Sequence, residues 1–344
     1  MQLVRCAAGA LGLLALGLTN SAASAVEDFY KGRQMSIVVG HQTGTGFDLY
    51  ARTLAKFMGG HIPGKPTIIV QNMTGASGLK SLNFLAKVAP KDGSVFATMV
   101  FSAPFEPLMG EGKGLFDATR FLWIGNMDSS VSIFGVSRKS GVKRFEDLFQ
   151  KEIVVGGTGR AGPLNQVPNA LRNLLGAKIK VVTGYKGSAS VKIAIQRGEL
   201  DGAAGISWST IKTQYQDIRK EGDFNMILQV GPKPHPELPQ VRHVYDFAKT
   251  EDDRQIFDLV FGVQGLGRAF MAPDGVPAER GAALRKAFVD TMADKALRAE
   301  ADKIKLDLNP QSGEDVEAFV KKIYATPKRV IVLARDAIKG EGEK

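Results

Sequence analysis

The stretch MSIVVGHQTGTGFDLYARTLAKFM, Met35 to Met58, contains both periods that matter for the fold. Its first five residues form a short apolar, β-branched run that predicts a strand, Met35 to Val39. A glycine-rich turn follows, and then Tyr50, Leu54, Phe57 and Met58 recur at i, i+4, i+7 and i+8, the spacing of one buried helix face. This is a strand, a tight turn and a helix in that order, which is half of a parallel βαβ unit.

The same grammar repeats along the chain. A strand at Thr67 to Val70 turns through Asn72 to Gly78 into a helix with Leu82, Leu85 and Ala86 on one face, and Asp92-Gly93 marks a turn before a strand at Val95 to Val100. After the irregular Gly110 to Gly114 stretch, Ile153 to Val155 leads through Gly156 to Gly162 into a helix ending before Gly176. Ile179 to Val182 then leads through Thr183 to Gly187 into a helix expected to be capped by Ser188 and closed by Gly198. A further strand is expected at Gly202 to Ile206. Pro232, Pro234, Pro236 and Pro239 exclude a helix or central strand there, and we read them as a loop that follows a return of the chain to the first half. The tail reads as helical, with Pro277 at a first helical position and a capping box from Ser312 to Asp315. Alternating units of this kind place the chain in the α/β class.

The first 25 residues have the form of a secretory signal: Arg5, an apolar run from Ala7 to Leu18, and the small-residue site Ala23-Ser24-Ala25. The run falls short of the ~20 residues that span a bilayer. Leu3-Val4-Arg5 lacks the small residues expected before a lipidated cysteine, so cleavage near Ala25 is preferred to anchoring at Cys6. Cleavage removes the one cysteine, and with it any thiol nucleophile or disulfide. It also leaves 319 of the 344 residues, more than one hydrophobic core serves, so two lobes with a cleft between them are expected. The net charge of +10 is spread among acidic residues without a run of about five or more like charges, so nucleic acid is not an expected partner.

Motifs for catalysis do not complete. Gly157-Thr158-Gly159-Arg160-Ala161-Gly162 fits the dinucleotide fingerprint, yet no ribose-binding acid follows the next strand; the next acid is Glu199. Gly59 to Lys65 approaches a phosphate loop, but Pro66 stands where a hydroxyl is needed, and the segment follows a helix instead of a strand. It is read as a plain connection. His41, His61, His235 and His243 have no metal-ligand spacing, and no G-x-S-x-G elbow occurs. His41, beside the first turn, is read as a bystander. No catalytic residue, metal site or cofactor is expected. The four strand-to-helix turns, at 40–48, 71–78, 156–163 and 183–189, each offer unpaired backbone N–H groups and the positive end of a helix dipole. Two from each lobe facing one cleft would hold a carboxylate at each end; glycines that merely permit tight turns are the plainer alternative.

Four segments in order, GTGFDLYARTLA, QNMTGASGLKSLNFLAKVAPKDG, GYKGSASVKIAIQRGELDG and MAPDGVP, resemble the receptor proteins of tripartite tricarboxylate transporters, over nearly the whole chain after the signal. That resemblance implies a two-lobed periplasmic binding protein with a mostly parallel sheet in each lobe. Lobe one would comprise 26–127, lobe two 128–231, and 232–344 would complete lobe one. It implies a receptor that captures a small organic acid and presents it to membrane permease subunits, without catalysis; a periplasmic enzyme or sensor input protein for a similar acid is the alternative, and a monomer is the default expectation. Carried over by position, the ligand turns are Thr43, Gly44, Thr45 and Gly46 up to Asp48, with Asp48 capping its own helix; Thr74, Gly75, Ala76 and Ser77 up to Gly78; Thr158, Gly159 and Arg160 up to Gly162; and Tyr185, Lys186, Gly187 and Ser188. His41-Gln42-Thr43 and Ala161-Gly162-Pro163 depart from the pattern, so a serine contact is absent and Arg160 is expected to offer a charge-assisted one. Trp208 is expected either as a cleft wall or as a core tryptophan.

Overall fold

The structure, a computed structural model, describes residues 24–109, 115–129, 131–159 and 162–342. Eleven strands fall into two sheets among these residues. They are β1 (Gln34–Val39), β2 (Thr67–Asn72), β3 (Val95–Thr98), β4 (Leu122–Asn126), β5 (Ser132–Ser137), β6 (Ile153–Gly156), β7 (Ile179–Val182), β8 (Gly202–Ser207), β9 (Phe224–Val230), β10 (Ala269–Ala272) and β11 (Gln311–Ser312). The first sheet has the order β11-β4-β10-β3-β1-β2 and the second β7-β6-β8-β5-β9. β1 pairs in parallel with β2 and β3, and β6 pairs in parallel with β7 and β8. Both sheets are mixed, because β10 and β11 run against β3 and β4, and β5 runs against β8 and β9.

Alternation along β1 sets the layers. Met35, Ile37 and Val39 enter one apolar cluster with Tyr50, Leu54 and Met58 of the helix Gly46–Met58 and with Leu284 and Phe288 of the helix Ala278–Ala293, whereas Val38 points into the cluster on the opposite face. Each such fully buried side chain is worth roughly 1.5–3 kcal/mol. The second cluster continues under both sheets, joining Leu82, Leu85 and Trp123 to Phe134, Val155 and Leu171.

β4, β5, β9 and β10 lack the alternation that marks the half-exposed strands. β5 is buried at all six positions and β10 at all four, so no polar face punctuates either. Close approach compensates for the small residues in them. A β-carbon at Gly125 would lie 2.2 Å from the Phe288 ring, and one at Gly135 2.1 Å from the Phe224 ring, so alanine at either glycine would displace a core aromatic ring.

The loop after β9 stays with the second sheet. Buried Gln229 donates to Leu238 O at 3.1 Å and Val241 O at 2.6 Å and accepts from His235 N–H at 2.7 Å, which ties both ends of the proline loop to β9. Phe247 packs on Phe145 at 4.9 Å, and the helix Glu251–Val260 is joined to the C-terminal helix Lys328–Ala337 by the two-pronged Arg329–Asp252 pair at 2.7 Å. The proline loop therefore precedes the return to the first sheet, correcting the expected order. A second correction concerns a cap: the helix Ser188–Arg197 is preceded by Gly187, with Ser188 as its first residue, while Gly198 closes it in the left-handed conformation as expected. The Ser312–Asp315 capping box is present. Gly59 to Lys65 is a short connection from helix to β2.

Candidate ligand site

Strand direction decides where the four turns lie. β1 and β2 end at the turns 40–48 and 72–78, and β4, which runs the same way, leaves the first sheet at that edge. β5 enters the second sheet antiparallel to β8, hence at the edge where β6 and β7 end in the turns 157–162 and 183–187. The crossing 127–131 thus connects the two edges that carry turns. β9 leaves and β10 arrives at these same edges. Both pairs of turns therefore lie at the edges that the crossings connect.

In the first sheet the turns are knit by side chains. The Asp48 carboxylate, 2% exposed, accepts from Gly44 N–H at 2.9 Å, from Asn72 Nδ2 at 2.9 Å and from Arg52 Nε at 2.9 Å. Burial alone would raise its pKa, but these hydrogen bonds and the Arg52 charge hold it down at about 2. Asn72 also donates to His41 O and accepts from Thr43 Oγ1 at 3.2 Å, linking the second turn to the first. Thr45 caps the helix, its hydroxyl accepting from Asp48 N–H at 3.5 Å. Asp48 is therefore committed inward to the turn and is neutralised by Arg52. Thr43 is exposed and Thr45 half-buried, and Gly44 holds φ +82 with open space around it. Ala76, in the second turn, adopts φ +45, a strained position for a residue with a β-carbon. Gly75 and Gly78 precede the short 3-10 turn and the helix Leu79–Lys87 without any side-chain cap.

In the second sheet the turns are joined, among the described residues, by backbone hydrogen bonds. Gly184 N–H donates to Thr158 O at 3.2 Å and Tyr185 N–H to Gly157 O at 3.1 Å, so the β6–β7 pairing extends into the loops. The helix Pro163–Leu175 begins after Gly162, and Ser188–Arg197 after Gly187, again without side-chain caps. Gly159 has open space around it, and Lys186 is exposed. The Ser188 hydroxyl donates to Gln214 at 3.1 Å. Behind the turn, Asn165 Oδ1 is buried without a partner. Arg160 lies outside the described residues, as does Ala161, and Ser77 is placed only by its backbone.

Charged residues bridge the two edges. Lys212, on the helix Trp208–Gln214 that follows β8, meets Asp307 at 2.5 Å and Glu237 at 3.1 Å; Asp307 O in turn accepts from Tyr50 OH at 2.8 Å. Trp208 is buried, and its indole N–H donates to Glu237 at 2.6 Å. On the crossing, Asp128 is 4% exposed. Burial, opposed by Arg268 and reinforced by Asp307, pushes its pKa up to about 6. Arg268 stands one residue before β10, over the Phe47 ring at 4.4 Å and the Tyr50 ring at 4.9 Å, and His41 stacks on Phe47 at 4.6 Å. Burial and the Arg268 charge lower the His41 pKa, so the ring is neutral near pH 7. Asp128, Lys212, Arg268 and Asp307 escaped the reading of the sequence because no motif spacing joins them. The one available sign was Arg268 as a lone charge within the otherwise uncharged Leu259 to Pro273.

No protein-family model matches the chain, and no curated protein matches it in sequence. Solved structures match nearly end to end. A TctC solute-binding protein from Polaromonas superposes with a TM-score of 0.67 at 18% identity, covering 90% of this chain and 99% of that one. The periplasmic binding protein BugD gives 0.62 at 19% identity, with coverages of 90% and 98%. MatC from Rhodopseudomonas palustris, solved with bound malate, gives 0.62 at 16% identity, with 90% and 99%. At these identities the shared property is the fold, the two-lobed α/β architecture of periplasmic binding proteins.

Proposed function

We propose that the chain is a periplasmic solute-binding receptor that captures a small organic acid and delivers it to permease subunits of a tripartite tricarboxylate-type transporter. The observation that carries this reading is the pairing of turns: two from each sheet, at the edges that the crossings connect, three of the four leading into helices with no side-chain cap. Free N–H groups and positive helix ends favour an anion. The neighbours of the same fold are solute-binding proteins, one of them holding malate. In this reading one lobe comprises the first sheet with its helices, the other the second sheet with residues 232–260 and the C-terminal helix. An anion bridging both would favour the closed arrangement of the lobes.

The site is suited to capture. Asp48 is consumed by Arg52, Asn72 and Gly44, and the neutral His41 has no nucleophile beside it in the described contacts. The test is thermal unfolding of the chain from Val26 onward against a panel of organic acids and their amides, followed by product analysis of each hit. An acid at 100 times its dissociation constant adds ~2.7 kcal/mol, several degrees for a chain of this length. A midpoint raised by an acid, not by its amide, and with the acid recovered unchanged, is the expected outcome. Conversion of the acid would establish the enzyme alternative.

A further inference from the structure

We infer that Arg268 and the N-terminus of the helix Gly46–Met58 together form a subsite for one carboxylate of the solute, with Arg268 as the residue that makes the site select an anion. The inference rests on the receptor reading and assigns its charge selectivity to one side chain outside the turns.

Arg268 is 9% exposed, and the guanidinium has only part of its hydrogen-bonding capacity used. Nη1 donates to the neighbouring Gly267 O at 2.6 Å, while Nε is buried without a partner. No carboxylate lies within ion-pair distance of it among the described residues. The nearby acids are committed elsewhere: Asp48 to Arg52 at 2.9 Å and Asp307 to Lys212 at 2.5 Å. Asp128, buried on the crossing, attracts the guanidinium without reaching ion-pair distance, and with a pKa of about 6 it is mostly ionised near pH 7. A buried cation lacking a paired acid is costly unless something else neutralises it.

The guanidinium is also aimed at the turn. A β-carbon at Gly46, the first residue of the helix, would sit 3.1 Å from Arg268 Nη2. Two positive features, the helix end and the guanidinium, therefore converge on one place, an arrangement that favours an anion there. The Phe47 and Tyr50 rings hold the guanidinium in position by cation–π contact without neutralising it. His41 Nε2, on the ring stacked against Phe47, is a second buried polar atom without a partner at the same turn. Glycine at position 46 leaves the approach clear, since any larger residue would press on the guanidinium.

The test is calorimetric titration of wild type, Arg268→Gln, Arg268→Lys and Gly46→Asp with malate, adipate and benzoate and with their amides. For any acid that wild type binds, Arg268→Gln is expected to lose about 30-fold or more in affinity, and Arg268→Lys less, since it keeps the charge without the planar fork. Gly46→Asp supplies a carboxylate beside the guanidinium and is expected to lose acid binding to a similar extent while keeping or raising its unfolding midpoint. It also keeps the inference testable if the Gln variant does not fold. Affinity within about threefold of wild type in the folded Gln variant, or in Gly46→Asp, overturns the inference and leaves the receptor reading standing. A wild type that binds none of the acids overturns both.

Discussion

The turns of the two sheets begin alike in sequence and are held by different means. In the first sheet Asp48, Asn72 and Arg52 lock the turn through four side-chain hydrogen bonds centred on a buried carboxylate. In the second, the turns touch through backbone N–H and carbonyl groups, and Gly159 borders open space. One half is held by a buried carboxylate, with Arg268 behind it; the other is joined, among the described residues, by backbone hydrogen bonds and carries the exposed Lys186. The difference teaches that glycine-rich turns of equal appearance can be held by different means; in the proposed receptor the first would fix a carboxylate and the second would close over the rest.

Substitutions sharpen that division, beginning with the largest effect. Gly159→Asp introduces a negative charge on the second side in open space, so acid binding should fall by about 100-fold or more with an unchanged unfolding midpoint; calorimetry and a thermal melt together read both. Unchanged affinity would remove the second sheet from the site. Asp48→Asn strikes the first side and should cost about 2 kcal/mol at neutral pH, in line with the depressed pKa. Because that pKa lies below its unfolded value, the contribution is present in full above about pH 4 and disappears as the pH falls through about 2. Urea melts of the wild type and variant should therefore converge in acid. A gap that persists at pH 2 would mean that Asp48 acts through shape alone.

Gly44→Ala should cost about 1–2 kcal/mol, since φ +82 is costly for a residue with a β-carbon, whereas Gly159→Ala, free of that conformation, should change stability by less than about 1 kcal/mol. Equal costs would erase the contrast between the two pairs of turns. Ala76→Gly should be the mildest change, raising stability by about 0.5–1 kcal/mol through release of strain at φ +45. A loss of acid affinity in that variant would show that the strained turn is pre-organised for binding.

Local chemistry made much of this legible. β1 was readable as a short apolar, β-branched run before a glycine-rich turn, and its helix because one buried face gives a period of 3.6; the Ser312 box and the Gly176 and Gly198 ends follow from capping rules. β4, β5 and β9 carry no alternation and do not lead into the glycine-rich turn and periodic helix that mark β1, β2, β6 and β7, so neither sign announces them. Ser188 was a misleading cap, since the preceding Gly187 takes the extended position and frees the serine hydroxyl for Gln214. The place of the proline loop depended on Gln229, a single buried amide whose partners lie up to 12 residues along the chain. Arg268 is the clearest limit: the sequence shows a lone cation, and only the fold brings it to Gly46.

Backbone amides on both edges are the core of the account, and glycine-selective ¹⁵N labelling observes them directly. On titration with an acid that raises the unfolding midpoint, the amide resonances of Gly44 and Gly46 in the first sheet and of Gly159 and Gly187 in the second should shift together with one dissociation constant. Shifts confined to one sheet, or absent from all four glycines while the acid still binds, would contradict capture between the two pairs of turns.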